Sequence, residues 1–219
     1  MELGSQLIAN RYLLCDPLGQ GETALVVRAQ DTWRQNRPVA LKILHKQAAE
    51  QGLEIHLRRE FAHLFQAVHP HLPQIRQCGH LPFQHRLNEC PPYAFFVVEE
   101  LVVGTESQYW AQTNSAASIA SLGSQIAAAL AFLHQRGIRH GDIKPSNIIV
   151  TSLGIAKLVD FGLSAKYTPH LMATLSGTPR FLSPQALEGQ PQLSCDLYAL
   201  GITLFTLLKG QAPSGDWGL

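Results

Sequence analysis

An aspartate, a lysine and an asparagine fall within six residues of one another in the segment His140-Gly141-Asp142-Ile143-Lys144-Pro145-Ser146-Asn147. Such a segment brings a proton acceptor, a cation and an amide together on one loop. Thirteen residues beyond Asn147, Asp160-Phe161-Gly162 closes a short apolar run with a second carboxylate. An amide oxygen and a carboxylate at neighbouring strand ends form a hard-oxygen pair of the kind Mg²⁺ prefers. Asp142 is left over as a candidate general base. The two segments together point to chemistry in which a metal ion neutralises charge while a hydroxyl loses its proton.

Two features near the N-terminus fit a polyanionic substrate. Leu18-Gly19-Gln20-Gly21-Glu22-Thr23-Ala24-Leu25-Val26 sets glycines in a turn between two strand-like runs. Backbone N–H groups there can approach phosphate oxygens with no Cβ in the way. An ordinary glycine hairpin explains the same residues, and Ala24 stands where a GxGxxG pattern has its third glycine. No GxxxxGK[ST] occurs, which excludes a Walker-type loop. Lys42, in Val39-Ala40-Leu41-Lys42-Ile43-Leu44, either points to solvent or is held inward by anions. Glu60 on the following helix is a candidate carboxylate for it. His56, Glu60 and His63 would share a helical face, but no HExxH motif accompanies them.

The elements that must position these groups follow from periodicity. Tyr12–Pro17, Leu25–Gln30, Val39–Leu44 and Tyr93–Leu101 are expected as strands, being short apolar runs bounded by Gly, Asp, Asn and Pro. Leu57, Phe61, Leu64 and Val68 form a helical stripe over 53–68 that His69-Pro70 ends. From Ala116 the character turns helical, with Leu122, Ile126, Leu130 and Leu133 recurring until Gly137. Short strands at Ile148–Val150 and Ala156–Val159 and an apolar helix over Ser194–Leu208 complete the pattern. The expected architecture is α+β and two-lobed: residues 1–101 are β-rich and residues 102–219 mostly helical.

The chain resembles the eukaryotic-type serine/threonine protein kinases from about Arg11 onward, most specifically in the catalytic loop at Asp142 and in Asp160-Phe161-Gly162. The resemblance implies ATP and Mg²⁺ as cofactors and Ser/Thr residues of proteins as acceptors. It implies catalytic roles for Asp142, Lys144, Lys42 and Glu60, and metal binding by Asn147 and Asp160. Leu18, Gly19, Gly21, Val26, Ala40 and Lys42 would surround the nucleotide. Glu99–Leu101 would be the hinge that bonds adenine, with Val98 as a small gatekeeper. Thr178, in Ser176-Gly177-Thr178-Pro179, would end the activation segment and contact Asp142 and Lys144. Asp196 would open the central helix that anchors the catalytic loop.

Four departures stand out. Gly141 replaces the arginine that in many of these kinases pairs with a phosphorylated activation loop. Activity is therefore expected not to depend on phosphorylation at Thr168, Thr174 or Ser176. Gln185 replaces the glutamate of Ala-Pro-Glu. The last helices of the C-lobe are expected to be missing, so that the chain is a fragment of a longer protein or relies on a covering partner. Gly79–Pro92 lengthens one connection and is expected as a surface loop. A pseudokinase that binds nucleotide with little transfer, and a small-molecule kinase of related fold, remain open alternatives.

Charged residues make up 15% of the chain and its formal charge is +1. No basic excess favours nucleic acid or an anionic membrane as the main partner. Cys15, Cys78, Cys90 and Cys195 form no CxxC pair, and no secretory signal pattern opens the sequence. The apolar stretch Leu197–Leu208 is too short to span a bilayer, and a cytoplasmic setting is expected.

Overall fold

The computed structural model describes residues 6–20, 24–44, 65, 68–82, 85, 87, 90–160 and 179–213. Gly21, Glu60, His56, His63, Phe161, Gly162 and Thr178 lie outside the described residues, as does most of the helix expected over 53–68. The chain divides into two units, residues 1–68 with 74–101 and residues 69–73 with 102–219. The architecture is α+β.

The first unit is an antiparallel sheet of β1 (Leu7–Ile8), β2 (Tyr12–Gln20), β3 (Ala24–Asp31), β4 (Arg37–Leu44), β5 (Ile75–His80) and β6 (Phe95–Glu100). The strand order is β1-β2-β3-β4-β6-β5. Period-two alternation divides β4 cleanly. Val39, Leu41 and Ile43 enter a buried cluster with Ile8, Tyr12, Leu14, Val27, Ala29, Phe96 and Val98, while Ala40, Lys42 and Leu44 must turn to the other face. Those three are also buried, so both faces of the strand are covered.

The connection over Gly79–Pro92 differs from the surface loop read in the sequence. Leu81, Leu87 and Cys90 are buried within the same cluster. The Nε2–H of His85 donates to the Pro91 carbonyl at 3.0 Å, and its Nδ1 accepts from the Leu87 N–H at 3.2 Å. Burying these apolar side chains offsets the entropy of ordering the longer connection. At the opposite edge, Arg11 grips the buried Asp31 with two bonds of 2.7 Å. That guanidinium holds the Asp31 carboxyl below the usual carboxylate range, against the opposing effect of burial.

The second unit contains β7 (Thr105–Glu106), α1 (Ser107–Ala111), α2 (Ala116–His134), β8 (Ile148–Val150), β9 (Ala156–Leu158), α3 (Pro184–Leu187) and α4 (Ser194–Lys209). Strands β7, β8 and β9 form a small antiparallel sheet in that order. Ser115 caps α2 by accepting the Ser118 N–H at 3.2 Å. The stripe Ile119, Leu122, Ile126, Leu130, Leu133 is buried, and α2 packs on α4 and β9. Gly123 makes the approach possible: a Cβ there would meet Leu204 Cδ1 at 2.9 Å. By length and composition α2, with mean hydropathy 1.6, could cross a bilayer. Among the described residues it, rather than the Leu197–Leu208 stretch, is the apolar helix of that length.

Candidate active site

Asp196, in the first turn of α4, organises the loop that carries the candidate chemistry. Its carboxylate is 1% exposed. One oxygen accepts the Gly141 N–H at 2.9 Å, and the other accepts the His140 N–H at 2.9 Å and His134 Nε2 at 2.9 Å. Two backbone donors of an irregular segment are thus satisfied by one buried anion at a helix N-terminus, where the helix dipole also favours negative charge.

His140 ties the loop to the next strand. Its Nε2–H donates to the Val159 carbonyl at 3.1 Å, and its Nδ1 faces the Asp142 N–H at 3.4 Å. Those two contacts require the neutral imidazole. Burial holds the His140 pKa below the ordinary histidine value, overriding the opposing pull of Asp196, Asp142 and Asp160. The loop is fastened elsewhere too: the Ser107 hydroxyl donates to the Pro145 carbonyl at 2.9 Å, and the Val159 N–H to the Asn147 carbonyl at 2.8 Å.

On this scaffold three of the expected groups meet. Asp142 Oδ2 lies 2.7 Å from Lys144 Nζ. The Asn147 side-chain amide donates to the same oxygen at 2.9 Å and to the Asp142 carbonyl at 2.7 Å. Asn147 sits in a 3₁₀ turn, Pro145–Asn147, directly before β8, and Asp160 follows β9. Since β8 and β9 are paired through Ile148↔Leu158, Asn147 and Asp160 emerge at the same end of one hairpin. Asp160 has φ +71 and Gly141 has φ +81. Left-handed backbone at a non-glycine residue is a strain that gathers at functional sites. At Gly141 the same conformation carries no Cβ penalty.

Lys42 lies in the first unit on β4 and is 7% exposed. It pairs with Val26 on β3 and Val97 on β6, so it shares a face with Ala40 and the odd-numbered residues of β6. Gly19 pairs with Val26. No atom lies within 4 Å of where a Gly19 Cβ would stand, so protein packing does not demand glycine there. Leu18 is exposed on β2.

The hinge expectation shifts. Val98 pairs with Leu41, and its side chain lies in the buried cluster on the face away from Lys42. The position facing Lys42's side is Glu99, opposite Ala40. Glu100 is also still within the ladder, opposite Val39, and Leu101 is the first residue past the strand. Strand parity near the end of β6 could be read only once its partner was known. The sequence reading also missed Ser107, His134 and Thr203 as supports, the Thr203 hydroxyl facing the Ile143 carbonyl at 3.5 Å; a lone Ser, His or Thr on an amphipathic helix carries no signal of its loop partner.

Asn147 and Asp160 fit a magnesium ion chemically. Among the described residues no group of three or more His, Cys, Asp or Glu could cage a metal. One amide and one carboxylate suit an ion that completes its shell with water and substrate phosphate.

Comparison with known families matches residues 12–217 to the protein kinase domain. The probable serine/threonine-protein kinase PknB of Lactococcus lactis is 31% identical over 220 residues, covering 96% of this chain and 34% of that protein. The putative CBL-interacting protein kinase 13 of Oryza sativa is 32% identical over 221 residues, covering 97% and 41%. The serine/threonine-protein kinase PkaA of Streptomyces coelicolor is 30% identical over 229 residues, covering 95% and 40%. The chain thus spans about a third to two fifths of the length of these relatives. A family match across nearly its whole length, with serine/threonine kinases among its relatives, makes this chain a member of the protein kinase domain family, of the eukaryotic serine/threonine type.

Proposed function

We propose that this chain transfers the γ-phosphoryl group of ATP to serine or threonine hydroxyls of protein substrates. The observation that carries the reading is the Asp142 carboxylate, held by Lys144 at 2.7 Å and by the Asn147 amide at 2.9 Å on a loop clamped by buried Asp196. Asp142 orients the acceptor hydroxyl. As its oxygen bonds to the γ-phosphorus and the bridging bond to ADP breaks, the proton passes to Asp142. Lys144 neutralises charge on the transferring group. Asn147 and Asp160 hold Mg²⁺, which when bound shields the phosphate oxygens. Lys42, braced by Glu60, holds the α- and β-phosphates. Gly19 and Gly21 cover the phosphates, Leu18, Val26 and Ala40 contact the base, and Leu101 offers adenine its backbone. Thr178 completes the acceptor side.

With glycine at 141, the loop lacks the arginine that reads a phosphorylated activation segment, and transfer proceeds without such phosphorylation. All four cysteines are free thiols, which fits a reducing, cytoplasmic setting.

The test combines a phosphotransfer assay on the chain, using a generic Ser/Thr protein substrate, with its melting in the presence and absence of Mg·ATP. Asp142→Asn should cut transfer by about 10²–10⁴-fold, the usual contribution of a general base, and keep the nucleotide-induced shift. Asp160→Ala should lose that shift. Transfer by Asp142→Asn within tenfold of the parent overturns the assignment. A nucleotide shift without transfer by the parent would mark a nucleotide-binding module instead.

A further inference from the structure

One end of the sheet in the first unit gathers more guanidinium groups than carboxylates. The loop from β3 to β4 makes two turns in succession: the Arg34 N–H donates to the Asp31 carbonyl and the Arg37 N–H to the Arg34 carbonyl, both at 3.0 Å. A β-turn keeps its end residues within about 7 Å at Cα. Arg37 is also directly opposite Asp31 in the ladder, so Arg34 and Arg37 stand together at this end. Strand β5 brings a third arginine. Its pairing with β6 shifts register between Ile75 and Gln77, leaving Arg76 as the extra residue of a bulge. Gln77 Oε1 accepts the Tyr12 hydroxyl at 2.8 Å and Arg11 Nη1 at 3.2 Å, and Arg11 in turn holds Asp31. These contacts set Arg76 beside the Asp31 end of the sheet.

Four guanidinium groups, of Arg11, Arg34, Arg37 and Arg76, there face the two carboxylates of Asp31 and Glu100 among the described residues. Arg11 is already engaged by Asp31. The Arg76 Nε is closed off from solvent and meets no hydrogen-bond acceptor; among the described residues it is the one buried side-chain nitrogen or oxygen left so. Folded proteins pair almost every such group. Burial, then the charges of Arg37 and Arg34, push the Arg76 pKa below the ordinary arginine value, against Glu100 and Asp31. An arginine nevertheless keeps its proton in a protein, so the repulsion persists until an anion offsets it. The cluster is separate from the expected nucleotide residues. Arg37 follows the parity of Val39 and Leu41, whose face of β4 is the one away from Lys42. It also lies at the opposite end of the ladder from Ala24↔Leu44 and the turn that joins β2 to β3.

We propose that Arg34, Arg37 and Arg76 form a binding site for a dianionic oxyanion, a phosphate group taken free or as a monoester. Planar guanidinium groups match two oxygens of such a group at once, and a dianion balances the surplus of cations at this end of the sheet. Trp33, 70% exposed and with Arg11 5.2 Å from its ring, offers apolar surface to the carrier of an ester. The site stands apart from the phosphotransfer reading and does not depend on it.

The test is melting of the chain in rising inorganic phosphate, against chloride at matched ionic strength, for the parent, Arg34→Gln, Arg37→Gln, Arg76→Met and Lys42→Met. Phosphate should raise the melting temperature of the parent in a saturable way. Each arginine removal should weaken the apparent phosphate affinity by about tenfold or more, the loss of one charge-assisted bond, while Lys42→Met keeps it. Without phosphate, Arg76→Met should melt no lower than the parent, because the charge it removes is repelled by its neighbours. Calorimetric titration with inorganic phosphate and with a phosphoserine peptide separates the sources: tighter binding of the peptide assigns the ester, equal binding the free ion. A parent no more responsive to phosphate than to chloride overturns the site, and so does a response kept by all three arginine variants. A response lost in Lys42→Met puts the anion among the nucleotide residues and overturns it as well.

Discussion

Replacing Asp196 by asparagine isolates the contribution of a single buried charge to the catalytic loop. The substitution keeps the shape of a side chain that is 1% exposed, yet only one of its two terminal atoms remains an acceptor. If the amide nitrogen takes the place of the oxygen facing Gly141, that N–H, accepted at 2.9 Å in the parent, confronts another donor. If it takes the other place, the His140 N–H and His134 Nε2, both at 2.9 Å, lose their acceptor. Either way at least two buried or part-buried donors are left unmet, at about 1–3 kcal/mol each. A net loss of about 3 kcal/mol follows. With about 2–4 °C per kcal/mol for a chain of this size, the melting temperature should fall by roughly 6–12 °C. Differential scanning calorimetry gives the shift, and hydrogen exchange at the His140 and Gly141 amides locates it. Asp16→Asn is the control, because Asp16 pairs with Arg28 while its side chain is 61% exposed; exposed pairs are worth about 0–1 kcal/mol. Melting of Asp196→Asn within 2 °C of the parent, or unchanged protection at the two amides, would refute the view that this carboxylate holds the loop.

Further outcomes concern the same loop and two groups outside it, His69 and Asp31. Burial keeps His140 neutral in the fold. His69, stacked on Phe132, is held below its ordinary value by burial and then by His71, Arg136 and Lys157. The unfolded chain therefore binds more protons than the folded one once pH drops below about 6.5. The stabilisation is fully present above that pH and is lost as pH falls, by up to about 1.4 kcal/mol per pH unit for His140. Urea midpoints at pH 7.5, 6.5 and 5.5 should decline more steeply for the parent than for His140→Gln, and parallel slopes would contradict this. The Asp31 carboxyl acts in a different window: its depressed pKa contributes stability above about 3.9 that is lost only as pH falls through the lower folded value. Gly141→Ala and Gly141→Arg should each cost about 1–2 kcal/mol, because φ +81 is a left-handed conformation. A melting temperature unchanged by both would mean the loop relaxes without strain.

Much of this architecture was legible because its cause is local. The strand at Val39–Leu44 and the helix from Ala116 carry their periods in their own residues, and both appear where the periods place them, as β4 over Arg37–Leu44 and α2 over Ala116–His134. The grouping of Asp142, Lys144 and Asn147 was legible for the same reason, since a short loop cannot separate them far. Strand β5, Ile75-Arg76-Gln77-Cys78-Gly79-His80, was not expected: only Ile75 is buried, so no apolar alternation announces it. Its pairing with β6 supplies the reason it is a strand at all. The loop before β6 was read as a surface loop because it lengthens a connection and shows no period, and neither feature tells that Leu81, Leu87 and Cys90 share a buried destination.

The hinge shows where local reading stops for a physical reason. A run such as Phe95-Phe96-Val97-Val98-Glu99-Glu100 is apolar on both faces for four residues, so alternation cannot assign its parity. The partner strand decides it. Once Ala40 is opposite Glu99, every odd residue of β6 faces the Lys42 side and every even one faces the closed core. One residue of register thus separates a valine on the Lys42 side from a buried carboxylate there. The chemical consequence is larger than the geometric one: a valine adds apolar surface to the Lys42 side of the sheet, whereas a carboxylate adds a charge diagonal to that lysine.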